Sequence, residues 1–404
     1  MSVGLNARLD HLKRVEACVD KPMADSTLLV KGFDDVASGF VNNAPAGGST
    51  VLFRNSSEML GGGSEFSYGT HASPSTRDLC CALSALEKAH VTLLTPSGLS
   101  ALALTFLSLL APGDHALVPD AAYQPLRELC DCVLRGVGVD VDYYDQADER
   151  SLKALFRSTT KLVHLESPAS GTFEVVDVDG VCRHVKSRNS LCAISMDNSW
   201  ATPLLFKPLA HGADVSITAL TKYPAGASDV MMGSVSCVPW VAQALQRHHA
   251  LLGLCAGSAD AWSVLRGLKT AKARLGVHHR VAVKVANALK ASPRVGEVLC
   301  PALSSSPYFE LWKANYELTN GVIAFTLKSG IGERALEASR RFLDSLQVFG
   351  LGWSWGGYKS LACVASLSHR RWPTRVTGAL IRLQLGFEDE RDLIWDLEGA
   401  LAKT

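Results

Sequence analysis

The chain has 404 residues, 47% of them hydrophobic and 20% charged, and a formal net charge of +1. That length and apolar content allow a large buried core and two or three domains. The near-zero charge argues against nucleic acid or an anionic membrane as a partner.

The opening MSVGLNARLDHLKR lacks the apolar centre of a signal peptide, so a cytoplasmic protein is expected. Residues 1–65 show no sustained period and are rich in Gly, Ser and Asn, as at Gly61-Gly62-Gly63. Such a segment suits an arm that wraps a partner subunit better than an independent core. From 66 to 257, helical stretches alternate with short apolar runs: 91–94, 116–118, 161–165, 191–196, 215–218 and 230–235. Continuous apolarity marks strands buried on both faces, hence a mainly parallel sheet covered by helices. The stretch 102–111 is too short to span a membrane and reads as a buried helix. After Ser258 a long helix is expected to run to Pro293. Residues 258–404 then read as this linker helix and a smaller α+β domain, with strands at 322–327 and 380–385 and a terminal helix burying Leu393, Ile394, Leu397 and Leu401.

The 11 cysteines are scattered, and only Cys80-Cys81 and Cys130-x-Cys132 stand close together. Neither spacing holds zinc or makes a redox pair, and no metal site is expected. Reduced thiols, mostly serving as small core residues, fit a cytoplasmic enzyme.

Asp197 ends one apolar run and Lys222 follows the next, 25 residues on. An acid and an amine so placed suit pyridoxal phosphate: the carboxylate holds a protonated pyridine nitrogen and the amine bonds the aldehyde. In parallel sheets ligands bind beyond the carboxyl ends of strands. Ser97-Gly98-Leu99-Ser100 lies at such an end too and could cradle a phosphate on free N–H groups, with the Thr221 hydroxyl beside it. Read alone, that segment is more simply an ordinary capped glycine turn, and a helix-capping acid is the alternative for Asp197. Arg382, in an otherwise apolar strand, needs a partner, either a structural acid or a substrate carboxylate. Gly352-x-x-x-Gly356-Gly357-Tyr358-Lys359-Ser360 has the wrong spacing for a P-loop. The pairs His248-His249 and His278-His279 read as solvated helix surface.

Several longer motifs accompany these residues in order: Ser67-Tyr68-Gly69, Pro96-Ser97-Gly98, Glu166-Ser167-Pro168-Ala169-Ser170, Met196-Asp197-Asn198-Ser199-Trp200, Thr221-Lys222-Tyr223, Ser228-Asp229, Ser354-Trp355-Gly356-Gly357 and Leu380-Ile381-Arg382-Leu383. Together they resemble the cysteine/methionine-metabolism family of fold-type-I pyridoxal phosphate enzymes, and within it the bacterial cystathionine β-lyases. The resemblance implies an α/β fold with a seven-stranded, mainly parallel sheet in a large domain, a smaller C-terminal α+β domain, and a homotetramer built as a dimer of dimers. It implies that Lys222 bonds the cofactor, Asp197 holds its ring nitrogen and Tyr123 stacks on the ring. Gly98, Leu99 and Thr221 would bind phosphate, Tyr68 would serve the neighbouring subunit's site, and Ser354, Trp355 and Arg382 would hold substrate.

One departure concerns Thr70, where the family usually carries a phosphate-binding arginine; His71 and Arg77 are nearby candidates to replace its charge. The implied reaction is α,β-elimination from cystathionine or another S-substituted cysteine. Glu166-Ser167-Pro168-Ala169-Ser170 resembles the β-lyase version of a segment that reads Glu-Ser-Pro-Thr-Asn in γ-acting relatives. γ-Elimination, γ-replacement and sulfhydrylation stand as alternatives, racemisation as a side activity, and a cofactor-binding protein with little turnover as a different class.

Overall fold

The computed structural model describes residues 24–31, 41–61 and 64–404. About half of the expected arm over residues 1–65 falls outside them. Its described parts include the helices Asp25–Lys31 and Ser56–Gly61 and a bridge between Thr50 and Tyr68. Among the described residues, no helix is long and apolar enough to cross a membrane.

Five of the six apolar runs become strands close to where expected: β1 Val91–Thr95, β2 His115–Pro119, β4 Thr160–Glu166, β5 Ala193–Asp197 and β6 Val215–Ala219. The sixth shifts along the chain, with β7 spanning Gly233–Cys237. Val230 and Met232 are buried in an irregular lead-in, where the Thr221 hydroxyl takes the Met232 N–H at 3.0 Å. β3, Asp140–Tyr144, was not expected. Its first residue is exposed and its apolarity is broken by Asp142, as befits an edge. The sheet order is β1-β7-β6-β5-β4-β2-β3. β2 runs parallel to β3 and β4, and β5 parallel to β6, while β7 is antiparallel to both β6 and β1.

The chain forms two compact units. One comprises the described residues up to Leu110 with Ala193–Ala225 and Asp229–Thr270; the other comprises Ala111–Cys192, Gly226–Ser228 and Ala271–Thr404. In the first, the helix Gly98–Leu109 buries Ala101, Leu102, Leu104, Thr105 and Phe106. In the second, a five-stranded sheet is added: β8 Val295–Leu299, β9 Val322–Leu327, β10 Gly350–Leu351, β11 Leu361–Ala365 and β12 Leu380–Gln384, in the order β10-β11-β12-β9-β8. The two expected strands, β9 and β12, pair with each other. Their apolar faces join Phe342 and the terminal helix Glu390–Ala402, through Leu393, Leu397 and Leu401, in one core.

The expected long helix runs Ser258–Ala291. His278 on it is fully buried, which corrects the reading of His278-His279 as solvated surface. The ring is kept by a hydrogen bond between Nδ1 and the Leu385 carbonyl at 2.8 Å, and His279 Nδ1 accepts the Thr319 N–H at 3.1 Å. Nor is the other pair simply solvated: His249 Nε2 bonds the Leu94 carbonyl at 2.7 Å. Of the ten described cysteines, all free, six are buried and only Cys132 and Cys255 are exposed.

Candidate active site

Strand register puts the acid and the amine at one rim of the first unit. Asp197 ends β5 opposite Ile217 of the parallel neighbour β6, and Lys222 lies in the turn five residues beyond Ile217. Ser199 ties the two exits together. Its N–H donates to Asp197 Oδ1 at 2.9 Å, and its hydroxyl accepts the Ala219 N–H at 2.7 Å. Asn198 adds a backbone bond to the Ile217 carbonyl at 2.7 Å. Burial pushes the Asp197 carboxyl above its ordinary range, while the bonds from Ser199 and the charge of Lys222 pull it down. A buried acid in this balance would be stabilised as an anion by a cationic ring nitrogen.

The turn after β1 reaches the same rim. Thr95 pairs with Gly233, which also pairs with Ala219. A Cβ on Gly98 would meet Ala219 Cβ at 2.7 Å, and one on Gly233 would meet the Ser97 carbonyl oxygen at 2.3 Å. Both glycines are therefore needed for the close approach of the helix start to the sheet. Ser97 and Ser100 form a reciprocal capping box, each hydroxyl accepting the other's N–H, at 2.8 and 3.1 Å. That leaves the N–H groups of Gly98 and Leu99 without a protein acceptor among the described residues, at the positive end of a helix of 12 residues. The Thr221 hydroxyl is already engaged, taking the Met232 N–H at 3.0 Å and donating to its carbonyl at 3.2 Å. Below the lysine turn, a Cβ on Gly267 would lie 2.3 Å from the Pro224 carbonyl oxygen and 2.5 Å from that of Ala225. The long helix thus braces the turn backbone to backbone.

Tyr68 is half exposed and Thr70 is exposed in the same unit. Arg77, a candidate for the absent arginine charge, is committed elsewhere: it pairs with Glu65 at 2.9 Å and Asp78 at 2.7 Å, with its guanidinium over Phe66. His71 is exposed and its Nδ1 sits 3.1 Å from the Ser67 hydroxyl.

The remaining candidates belong to the second unit. Tyr123 follows β2 with its ring part exposed, and its N–H donates to Glu166 Oε2 at 2.8 Å. Glu166, which ends β4, thereby fixes the Tyr123 turn, a role its place in the motif did not reveal. Arg382 pairs with no carboxylate among the described residues; it donates weakly to the Ser354 carbonyl at 3.3 Å and bears on the Cys363 thiol. Of the two readings of Arg382, the structural ion pair is therefore absent within the described residues. Ser354 is held at φ 82°, a left-handed conformation costly for a residue with a side chain; Trp355 beside it is half-buried. A cavity of about 240 Å³ lined by Thr172, Glu174, Lys290, Tyr308 and Arg375, among others, contains none of the residues singled out in the sequence.

A family model described as Cys/Met metabolism PLP-dependent enzyme matches residues 27–402. The chain belongs to this family. It is 42% identical, over 365 residues, to a cystathionine β-lyase-like protein of Rhizobium johnstonii, covering 90% of the chain and 92% of the relative. It is 35% identical, over 382 residues, to the cystathionine β-lyase of Bordetella avium, covering 92% and 94%. Cystathionine γ-synthase of Xanthomonas oryzae, solved with aminoacrylate and cysteine, is similar in structure at a TM-score of 0.86 and 30% identity, covering 95% of this chain and 99% of that one. As in the rest of the family, the cofactor is pyridoxal phosphate. The residues present fit it: two free N–H groups suit its phosphate, and a buried acid beside a lysine suits its ring and aldehyde.

Proposed function

We propose that the chain is a carbon–sulfur β-lyase that cleaves cystathionine or a related S-substituted cysteine to a thiol, pyruvate and ammonia. What supports this reading most is the Asp197–Lys222 pairing at adjacent strand ends, together with relatives named cystathionine β-lyase that match nearly the whole chain.

Bound at this rim, pyridoxal phosphate supplies an acceptor for the negative charge that develops at the substrate Cα. In this reading Lys222 holds the cofactor covalently. The Lys222 amine, when free of that bond, would remove the substrate Cα proton and could return one to the departing sulfur. Asp197, kept anionic by the ring nitrogen and its Ser199 bond, holds the proton there. Gly98 and Leu99 anchor the phosphate, with Thr221 as a neighbour. Tyr123 stacks on the ring, and Tyr68 serves the site of a neighbouring subunit. Arg382, with Ser354 and Trp355, receives the substrate carboxylate, and bidentate geometry would orient Cα–H toward Lys222.

This reading takes residues 1–65 as an arm toward the partner, 66–257 as the cofactor-binding domain and 258–404 as linker helix and small domain. It also takes the enzyme as a cytoplasmic homotetramer.

The γ-synthase likeness keeps γ chemistry as the second reading, because the same fold and cofactor serve both. Incubation of the holoenzyme with cystathionine, with pyruvate and 2-oxobutyrate measured separately, decides between them. Pyruvate with stoichiometric homocysteine is expected. 2-Oxobutyrate alone would refute β-elimination, and neither product would favour a binding role.

A further inference from the structure

Residues 366–379 join β11 to β12 and form neither helix nor strand. A connection of that kind is ordinarily the looser part of a domain. Here its middle is fastened to the interior by one side chain. Asp120, at the exit of β2, is wholly buried. Its carboxylate accepts the Arg371 N–H at 3.0 Å on Oδ1 and 2.9 Å on Oδ2, and the Trp372 N–H at 3.0 Å on Oδ2. Arg370 Nε donates to Oδ2 at 3.0 Å, and Arg127 Nη1 to Oδ1 at 2.7 Å. Arg127 also reaches the connection directly, its Nη2 donating to the His369 carbonyl at 2.8 Å. Each residue from His369 to Trp372 is thus held by Asp120 or by the cation paired with it. Nearby, Trp372 Nε1 donates to the Tyr143 carbonyl at 3.0 Å, and the Arg127 and Arg371 guanidinium groups lie over the Tyr143 ring.

The same two residues close the Tyr123 turn, which lies between them in sequence. Arg127 Nη1 donates to the Asp120 carbonyl at 3.0 Å, and the N–H groups of Leu126 and Arg127 donate to the Tyr123 carbonyl at 2.9 and 3.4 Å. Arg370 extends the network to Thr172 at 3.0 Å and to buried Glu174 at 3.4 Å. Burial pushes the Asp120 carboxyl up, but the Trp372 and Arg371 N–H groups, the Arg370 bond and the Arg127 charge together hold it below its ordinary range. Stability alone does not account for four charges withdrawn from water, because apolar groups of the same shape often serve as well or better. Charged hydrogen bonds add fixed lengths and directions.

We propose that Asp120 is a positioning residue that locks the connection 366–379 to the Tyr123 turn, and so sets the spacing between Tyr123 and Arg382 of β12. The value of that spacing rests on the roles read above for Tyr123 at the cofactor ring and Arg382 at the substrate carboxylate; the lock itself does not.

Asp120→Asn tests both parts. It keeps the shape but turns an amide N–H toward a ring of donors. Trypsin cuts after arginine where the chain opens locally, so Arg370 and Arg371 report on the lock. In native holoenzyme, cleavage after either residue, read by mass spectrometry, should be roughly tenfold faster in the variant. At saturating cofactor, the KM for cystathionine should rise roughly tenfold, since the substrate carboxylate then meets a displaced partner. Cleavage no faster than in the wild type would overturn the lock. Faster cleavage with an unchanged KM, whatever happens to the thermal midpoint, would leave the network merely structural and overturn the link to Arg382. A wild type without turnover would refute the functional reading instead, with trypsin still judging the lock. Should Asp120→Asn not accumulate, Arg370→Gln removes one of its cations. Cleavage after Arg371 and the KM must then both rise, and wild-type values reject the proposal.

Discussion

The Ser199 hydroxyl accepts the Ala219 N–H at 2.7 Å, joining the exits of β5 and β6 with a single side chain. Since the Ser199 N–H also holds Asp197 Oδ1 at 2.9 Å, the position of the acid and the start of the Lys222 turn depend on one residue. Replacing Ser199 by Ala strips the acceptor from a part-buried N–H, a loss of about 1–2 kcal/mol. Urea unfolding should register that loss, and cofactor affinity, followed by the visible absorbance of the bound form, should fall with it. Wild-type affinity in Ser199→Ala would show that the strand register alone holds the rim.

Three glycines offer an internally controlled experiment. Ala at Gly98 must displace the helix start from Ala219, and Ala at Gly267 must push the Pro224–Ala225 backbone away. Each should cost roughly 1–3 kcal/mol of stability and weaken cofactor retention. Gly276 lies on the same long helix as Gly267, with nothing within 4 Å of a new Cβ. Gly276→Ala should instead stabilise by about 0.5–1 kcal/mol through helix propensity, with activity unchanged. Thermal unfolding of the three variants would contradict this picture if their order were reversed.

Thr70 is exposed, and the guanidinium nearest in sequence, Arg77, is committed to Glu65 and Asp78. Thr70→Arg should therefore supply a charge that Arg77 does not. A charge-assisted contact of roughly 1.5–3 kcal/mol corresponds to a ten- to hundredfold tighter cofactor dissociation constant. Dialysis followed by absorbance measures it, and an unchanged or weaker constant would disprove the expectation.

His278 supplies a pH dependence of known sign. Burial lowers its pKa to about 4, with the Leu385 carbonyl pulling it up and the Arg274 charge pushing it down. The unfolded chain thus binds the proton first. Stability from the neutral ring is complete above the unfolded value of about 6.5 and is lost as pH falls toward the folded value. The loss over that window is on the order of 3 kcal/mol. In His278→Gln, the fall in unfolding free energy on acidification should be shallower by a comparable amount; equal slopes in both proteins would count against it.

Much of the frame was legible because buried parallel strands carry uninterrupted apolar runs, as at Leu162-Val163-His164-Leu165 in β4. β3 was hidden because Asp140 and Asp142 break its apolarity at a sheet edge. β7 was misplaced because buried Val230 and Met232 belong to an irregular segment that looks like strand in one dimension. Lys222 and Asp197 stood out because reactive side chains at strand ends contrast with their surroundings. Their supports did not. Glu87 closes the helix Pro74–Glu87, and only the fold reveals that it is buried with the Ser216 hydroxyl bonded to it. His278 was misread for the same reason: adjacent polar residues on a helix say nothing of what packs over them.

Ser199, Gly98, Gly267 and Glu87 all lie within the same compact unit as Asp197 and Lys222, whereas Tyr123, Ser354 and Arg382 belong to the other. The Asp197–Lys222 pair and its backbone supports thus depend on the packing of one unit, and the other three candidates on the packing of the second. A substitution at Tyr123, Ser354 or Arg382 can therefore leave the hydrogen bonds around Asp197 and the close backbone contacts of Gly98 and Gly267 in place.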